Sequence, residues 1–226
     1  MPVYSLSQQH VFPPVSHAEE DGLLAVGGDL DPHRLLLAYA QGIFPWFSKG
    51  DPILWWSPDP RMVLFPAELK VSKSMKQVLK NKTFEVTFDK DFKSVIQACG
   101  KIDRPGQDGT WLSKDMRIAY TKLHEMAVAH SVEVWQEGKL VGGLYGLALG
   151  AIFCGESMFS EVSNASKAGF ITLVQALREK GFELIDCQVY TSHLESLGAK
   201  EIPRTEFIRI LEKGIQKPCW TGKWDR

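Results

Sequence analysis

Apolar positions along the chain repeat first at helical spacing, then at strand spacing. The segment 31–42 predicts a helix: Asp31 stands at the N-cap, Pro32 at the first helical position, Leu35, Leu36 and Tyr39 point inward, and Gly42 ends it. A helix is expected over 72–80 with Ser72 as cap, a strand over 83–88 and a helix over 91–99. A longer helix over 113–128 places Met116, Ala119, Tyr120, Leu123 and Met126 at helical spacing. Three strands follow, at 130–136, 139–148 and 151–159, the first two forming a hairpin at Glu137-Gly138. A helix from the Asn164 cap to Lys180, closed by Gly181, leads to a strand at 182–189 and short helices near 192–197 and 205–213. The order is mixed α/β: an antiparallel meander, then strand–helix–strand, which implies one parallel crossover.

One stretch escapes both periods. Gly42 to Arg61 carries Phe44, Trp46, Phe47, Trp55 and Trp56 among four prolines. Proline removes a backbone donor and fixes φ, so a rigid, irregular loop is expected. Loops of this length are usually functional; the competing reading is a loop pinned to the core by its own rings. The chain turns regular again after Pro60–Pro66, which suggests a boundary there.

Composition narrows the function classes. The chain has 226 residues, 44% of them hydrophobic, and a formal net charge of −1, so any polyanion site must be local. Four cysteines without a CxxC pair, and no signal peptide, point to a reducing, cytoplasmic compartment. No apolar run reaches membrane-spanning length. His124-Glu125 opens like a zinc-protease motif, but position 128 is Val128. Gly155-Glu156-Ser157 opens like a nucleophile elbow, but position 159 is Phe159. With no phosphate-binding GxxxxGK and no GxGxxG, neither metal, ATP nor nicotinamide is indicated, and no cofactor is expected.

What remains lies at two strand ends. Alternation places Phe182, Leu184, Asp186 and Gln188 on one face of 182–189, and Ile152, Cys154, Glu156 and Met158 together on 151–159. If the strands are parallel neighbours, Glu156, Met158, Asp186 and Gln188 converge where α/β sheets bind ligands; the alternative is that both acids are merely solvated. The element order resembles the GNAT acyltransferase fold, and HLESLGAKEIPRTEF (193–207) looks like that fold's C-terminal helix and strand. The loop EVSNASKAG (161–169) lacks the Q/R-x-x-G-x-G/A spacing that holds coenzyme A there.

GGDL (27–30), GIFPWF (42–47), DPILWWSPDPR (51–61), GTW (109–111), FCGESMFS (153–160), NASK (164–167) and LIDCQV (184–189) together resemble the bacterial leucyl/phenylalanyl-tRNA–protein transferases. The resemblance covers nearly the whole chain. It implies transfer of leucine or phenylalanine, less often methionine, from aminoacyl-tRNA to proteins beginning with Arg or Lys, marking them for N-end rule degradation. It also implies a small N-terminal domain (1–62) joined to a GNAT-like domain (63–226). By the same resemblance Asp186 and Gln188 form the catalytic pair, Asp186 polarising Gln188 or the incoming amine, and Glu156 binds the substrate's amine or ribose. Met158, Ile185, Phe170, Leu173 and Leu177 are candidates for the aminoacyl side-chain pocket, with Leu144 where relatives carry methionine. Trp111 stacks on the terminal adenosine, and Trp46 helps frame that site while Trp55 and Trp56 lock the two domains. Lys70, Lys73, Lys76 and Lys80, spaced for one helical face with no acid between 70 and 82, form a candidate phosphate track. Two other readings stay open: an acetyl-CoA-dependent N-acetyltransferase and a non-catalytic RNA-binding module.

Overall fold

The computed structural model describes residues 3–48, 50–101, 112–218 and 220–224. Strands β1 (Tyr4–Leu6), β2 (Leu23–Gly27), β3 (Phe44–Pro45) and β4 (Leu54–Trp56) make a four-stranded sheet in the order β1-β2-β4-β3. Strands β5 (Arg61–Leu64), β6 (Glu85–Phe88), β7 (Ala129–Gln136), β8 (Lys139–Leu149), β9 (Ile152–Ser160), β10 (Leu184–Gln188) and β11 (Lys200–Ile202) make a seven-stranded sheet in the order β11-β5-β10-β9-β8-β7-β6. The helices are α1 (Pro32–Ala40), α2 (Lys73–Lys80), α3 (Phe92–Cys99), α4 (Lys114–Glu125), α5 (Ala165–Glu179), α6 (Ser192–Ser196) and α7 (Arg204–Gly214).

The larger sheet holds the expected meander. Strands β7, β8 and β9 pair antiparallel, and β10 returns through α5 to lie parallel to β9. Helices cover both faces. Val95 and Ile96 of α3, Met116 and Tyr120 of α4 and Leu35 and Tyr39 of α1 share one buried cluster with Tyr145, Cys154 and Leu184. On the other face Phe170, Leu173, Val174 and Leu177 of α5 pack with Leu144, Phe153 and Ile185. The first cluster also takes in Leu24 and Trp55 of the small sheet, so one core spans both sheets.

The aromatic stretch is not irregular throughout. Phe44 and Pro45 pair with Trp56 and Trp55 across β3 and β4. Pro45 is tolerated because β3 is an edge strand, and the interior partner β4 contains no proline. Trp55 is fully buried, packs edge-on against Phe12 at 4.9 Å and donates its indole N–H to the Gly27 carbonyl at 2.9 Å. The GGDL block is more than a turn. Gly27 and Gly28 adopt positive φ (88° and 75°), and the buried Arg34 guanidinium lies beneath Gly28. That guanidinium bonds both oxygens of Asp29 and the carbonyls of Ser7 and Gln9.

Other sequence expectations shift at their edges. Asn164 precedes α5 in the left-handed region (φ 71°) and its side chain caps nothing. Met126 lies past the end of α4 and is 45% exposed. Lys70 falls before the Ser72 cap, so only Lys73, Lys76 and Lys80 belong to α2, where all three are exposed.

Candidate active site

Two bulges build the site. Between Tyr145 and Gly146 the β8–β9 register slips: Tyr145 faces Ser157 but Gly146 faces Gly155, leaving Glu156 as the extra residue. The slip reverses the alternation beyond it. Met158 therefore leaves the face of Ile152 and Cys154 and joins that of Phe153 and Ile185, which corrects the simple period-2 expectation. On β10 the register slips between Asp186 and Gln188. There the Val189 N–H donates to the Cys187 carbonyl at 2.8 Å, closing a three-residue turn centred on Gln188, whose φ is +66°. A non-glycine residue in that region carries strain that surrounding bonds must hold.

The turn separates the two residues that alternation placed side by side. Asp186, 1% exposed, faces away from the cavity, and its Oδ1 and Oδ2 accept bonds from Arg61 Nε and Nη2 at 2.8 and 2.7 Å. Asp186 Oδ1 also accepts the Gln188 main-chain N–H at 3.0 Å, so the carboxylate anchors the strained turn. Arg61 is equally buried and lies between the rings of Phe44 and Phe207, 4.8 and 4.6 Å from their centroids. Gln188 turns the other way, and its amide donates to Glu156 Oε1 at 2.8 Å. Glu156 Oε2 accepts from the Tyr120 hydroxyl at 2.8 Å, and Tyr120 in turn bonds Tyr39.

Burial dominates the protonation of this network. It pushes the Glu156 carboxyl up to about 8, the bonds from Tyr39, Tyr120 and Gln188 opposing the rise and the Asp186 charge adding to it. Burial, with the Glu156 charge next, drives the Tyr39 and Tyr120 phenols well up, so both remain donors. Burial likewise raises the Cys154 and Cys187 thiols, which disqualifies either as a thiolate nucleophile near neutrality.

β9 and β10 pair from Leu184↔Ile152 to Asp186↔Cys154 and no further, and the cavity opens where they part. It measures about 490 Å³. Leu144, Met158, Phe153, Phe170 and Ile185 supply an apolar wall, while Glu156, Gln188 and Trp46 stand in its lining too. Trp46 is 37% exposed, and its carbonyl accepts the Trp56 indole N–H at 2.6 Å. Thr191, His193 and Leu194 complete the lining around α6; burial, and then the Lys167 charge, lowers the His193 pKa.

Of the candidate catalytic and substrate-binding residues that the structure describes, Trp46, Leu144, Glu156, Met158, Phe170, Ile185 and Gln188 meet at one cavity, and three do not. Leu173 and Leu177 point from α5 into the sheet-facing core, fully buried, and do not line it. They share Phe170's face of α5 but stand one and two turns farther along the helix, beyond the cavity. Asp186 lies behind Gln188 rather than beside it. Trp111 lies outside the described residues. Periodicity and motif spacing do not point to Arg61, Tyr39 or Tyr120 as residues of the site. Arg61 and Asp186 are 125 positions apart, and no local spacing signals that pair. Tyr39 and Tyr120 read as core positions of their helices, which they are.

Residues 63–212 match the family model described as leucyl/phenylalanyl-tRNA protein transferase, and residues 28–59 match that family's N-terminal domain. A leucyl/phenylalanyl-tRNA–protein transferase of Syntrophus aciditrophicus is 58% identical over 224 residues, 99% of this chain and 94% of the relative. One of Flavobacterium johnsoniae is 60% identical over 210 residues, 93% of this chain and 99% of the relative. Among solved structures, L-PGS from Bacillus licheniformis aligns with a TM-score of 0.40 at 12% identity, over 73% of this chain and 55% of that one. A GCN5-related N-acetyltransferase from Kribbella flavida aligns with a TM-score of 0.31 at 10% identity, over 74% of this chain and 59% of that one.

Proposed function

The chain belongs to the leucyl/phenylalanyl-tRNA–protein transferase family, and on that footing we propose that it moves an aminoacyl group from tRNA to a protein at the cavity between β9 and β10. Membership displaces the acetyl-CoA and non-catalytic readings. The donor is leucyl- or phenylalanyl-tRNA, less so methionyl-tRNA, and the acceptor is a protein with N-terminal Arg or Lys. The observation that carries the reading is a cavity with an apolar wall from Leu144, Met158, Phe153, Phe170 and Ile185 that also holds the Gln188–Glu156 pair. Part of that volume takes an apolar side chain, while the ester carbonyl lies against the polar pair.

The aminoacyl ester is already activated, so the enzyme must align an amine with it and move a proton. The acceptor's α-ammonium titrates at about 7.7–8.0, close to the value of about 8 for Glu156. Ionised Glu156 therefore takes that proton at little cost. The freed nitrogen lone pair forms the C–N bond; as the C–O bond to the ribose breaks with its electrons, the attacking nitrogen gives up a second proton, which passes to the ribose oxygen and leaves a neutral amide. Gln188 keeps Glu156 oriented by its 2.8 Å bond. Asp186 works through the Gln188 turn and not by touching substrate. Trp46, exposed in the cavity lining, supports the tRNA end, and a stacked base contributes about 1–3 kcal/mol. Residues 1–62 supply Tyr39, Phe44, Pro45, Trp46 and Arg61 to a site otherwise built from the remainder of the chain.

The test uses labelled leucyl-tRNA and a peptide beginning with Arg. Labelled peptide is expected, with a loss of about 100-fold or more in kcat for Gln188→Ala; no transfer by the unaltered protein would refute the reading. Met158→Ala is expected to weaken leucine transfer far more than tRNA binding, and equal loss of both would remove Met158 from the pocket.

A further inference from the structure

Beyond both family-matched segments, residues 220–224 fold back onto the sheet. Trp224 is fully buried. Its main-chain N–H donates to Asp89 Oδ2 at 2.8 Å, and its indole N–H donates to the Trp220 carbonyl at 3.0 Å. Its ring stacks between His130, at 3.9 Å and 4°, and Trp220, at 4.4 Å and 8°. Asp89 Oδ2 also bonds His130 Nδ1 at 2.8 Å, so one carboxylate fixes both the imidazole and the tail. A tryptophan held by two ring stacks, one indole N–H bond and one main-chain N–H bond has little freedom to move.

Phe153 joins this cluster to the cavity. Its ring lies 5.9 Å from that of Trp224, and it forms part of the cavity wall. Gly146 leaves room for the ring from the neighbouring strand: a Cβ there would lie 2.6 Å from Phe153 Cζ. Behind Phe153 stands Trp224. Nothing in the transfer chemistry requires a tail at this place, yet it backs the wall that meets the donor side chain.

We infer that Trp224 is a positioning residue for donor selectivity: by backing Phe153 it fixes the depth of the side-chain cavity and so the balance between leucine and phenylalanine. The inference rests on the reading of this cavity as the donor pocket. With Trp224 in place the Phe153 ring is backed, and the cavity keeps its present depth at that wall. Without it the ring has room to withdraw toward the vacated site, and the larger aromatic donor gains.

The experiment measures kcat/KM for leucyl- and phenylalanyl-tRNA in Trp224→Ala, Trp224→Phe and Phe153→Leu, with thermal melting of each. The ratio of phenylalanine to leucine transfer is expected to rise about tenfold or more in Trp224→Ala, the scale on which apolar pockets discriminate. A smaller rise is expected in Trp224→Phe, which serves as the test if the alanine variant does not fold. Phe153→Leu is expected to shift the ratio in the same direction. A ratio unchanged in folded Trp224 variants, while Phe153→Leu alters it, overturns the inference and leaves the donor pocket standing. If Phe153→Leu also leaves the ratio unchanged, the donor-pocket reading falls and this inference with it.

Discussion

At the scale of the residue, the two acids of the site do opposite things. Glu156 is held near 8 by burial, whereas an unfolded chain ionises glutamate near about 4.3. Between those values the folded state binds the extra proton, so stability falls as pH rises and levels off above about 8. Glu156→Gln is expected to abolish that slope in urea melts from pH 5 to 9 and to suppress transfer, since an amide cannot accept the proton. Asp186 is committed to Arg61 and to the Gln188 turn. Asp186→Ala leaves a buried guanidinium without its partner, and a loss of about 3–5 kcal/mol in chemical denaturation is expected. The pair Arg61→Met with Asp186→Leu is expected to recover most of that stability but no transfer activity, because no carboxylate then anchors Gln188. Recovered activity would show the ion pair to be only structural.

At the scale of the element, the bulge between β8 and β9 depends on Gly146. A Cβ on Gly146 would stand 2.3 Å from the Cys154 carbonyl oxygen, so Gly146→Ala forces the bulge that presents Glu156 to open. A destabilisation of about 1–3 kcal/mol is expected, with transfer falling more than stability predicts. On α2, Lys73, Lys76 and Lys80 stand exposed without an intervening acid. Neutralising all three is expected to flatten the dependence of tRNA affinity on log salt by about two units or more; an unchanged slope places the phosphate contacts elsewhere. Helices with caps and the long meander were legible in sequence because each spans enough positions to display its period. β1, β3, β4 and β11 have two or three residues each, too few to show an alternation. The convergence of Glu156 and Gln188 was legible from two strand ends and one crossover helix. The facing of Met158 and Asp186 was not, because each bulge inserts a residue that periodicity cannot register.

At the scale of the whole molecule, chain segments far apart in sequence meet across one core. Phe44 and Phe207 enclose Arg61, and Arg61 reaches β10. The far end of the chain is fixed by Asp89. Burial works to raise its carboxyl, but the His130 bond and charge and the N–H groups of Trp224 and Ser131 outweigh it, and the pKa is lowered. A depressed acid stabilises the fold above its unfolded value of about 3.9 and loses that contribution as pH falls through the folded one. Acidification below about 4 is therefore expected to release the tail, and Asp89→Asn to release it already at neutral pH. Watching that release needs no label. Two indoles stacked 4.4 Å apart lie well within the range at which aromatic excitations couple, and whatever circular dichroism that coupling produces is expected to disappear when the rings separate. The same stack that backs the cavity wall is thus an optical gauge of whether Trp220 and Trp224 are seated.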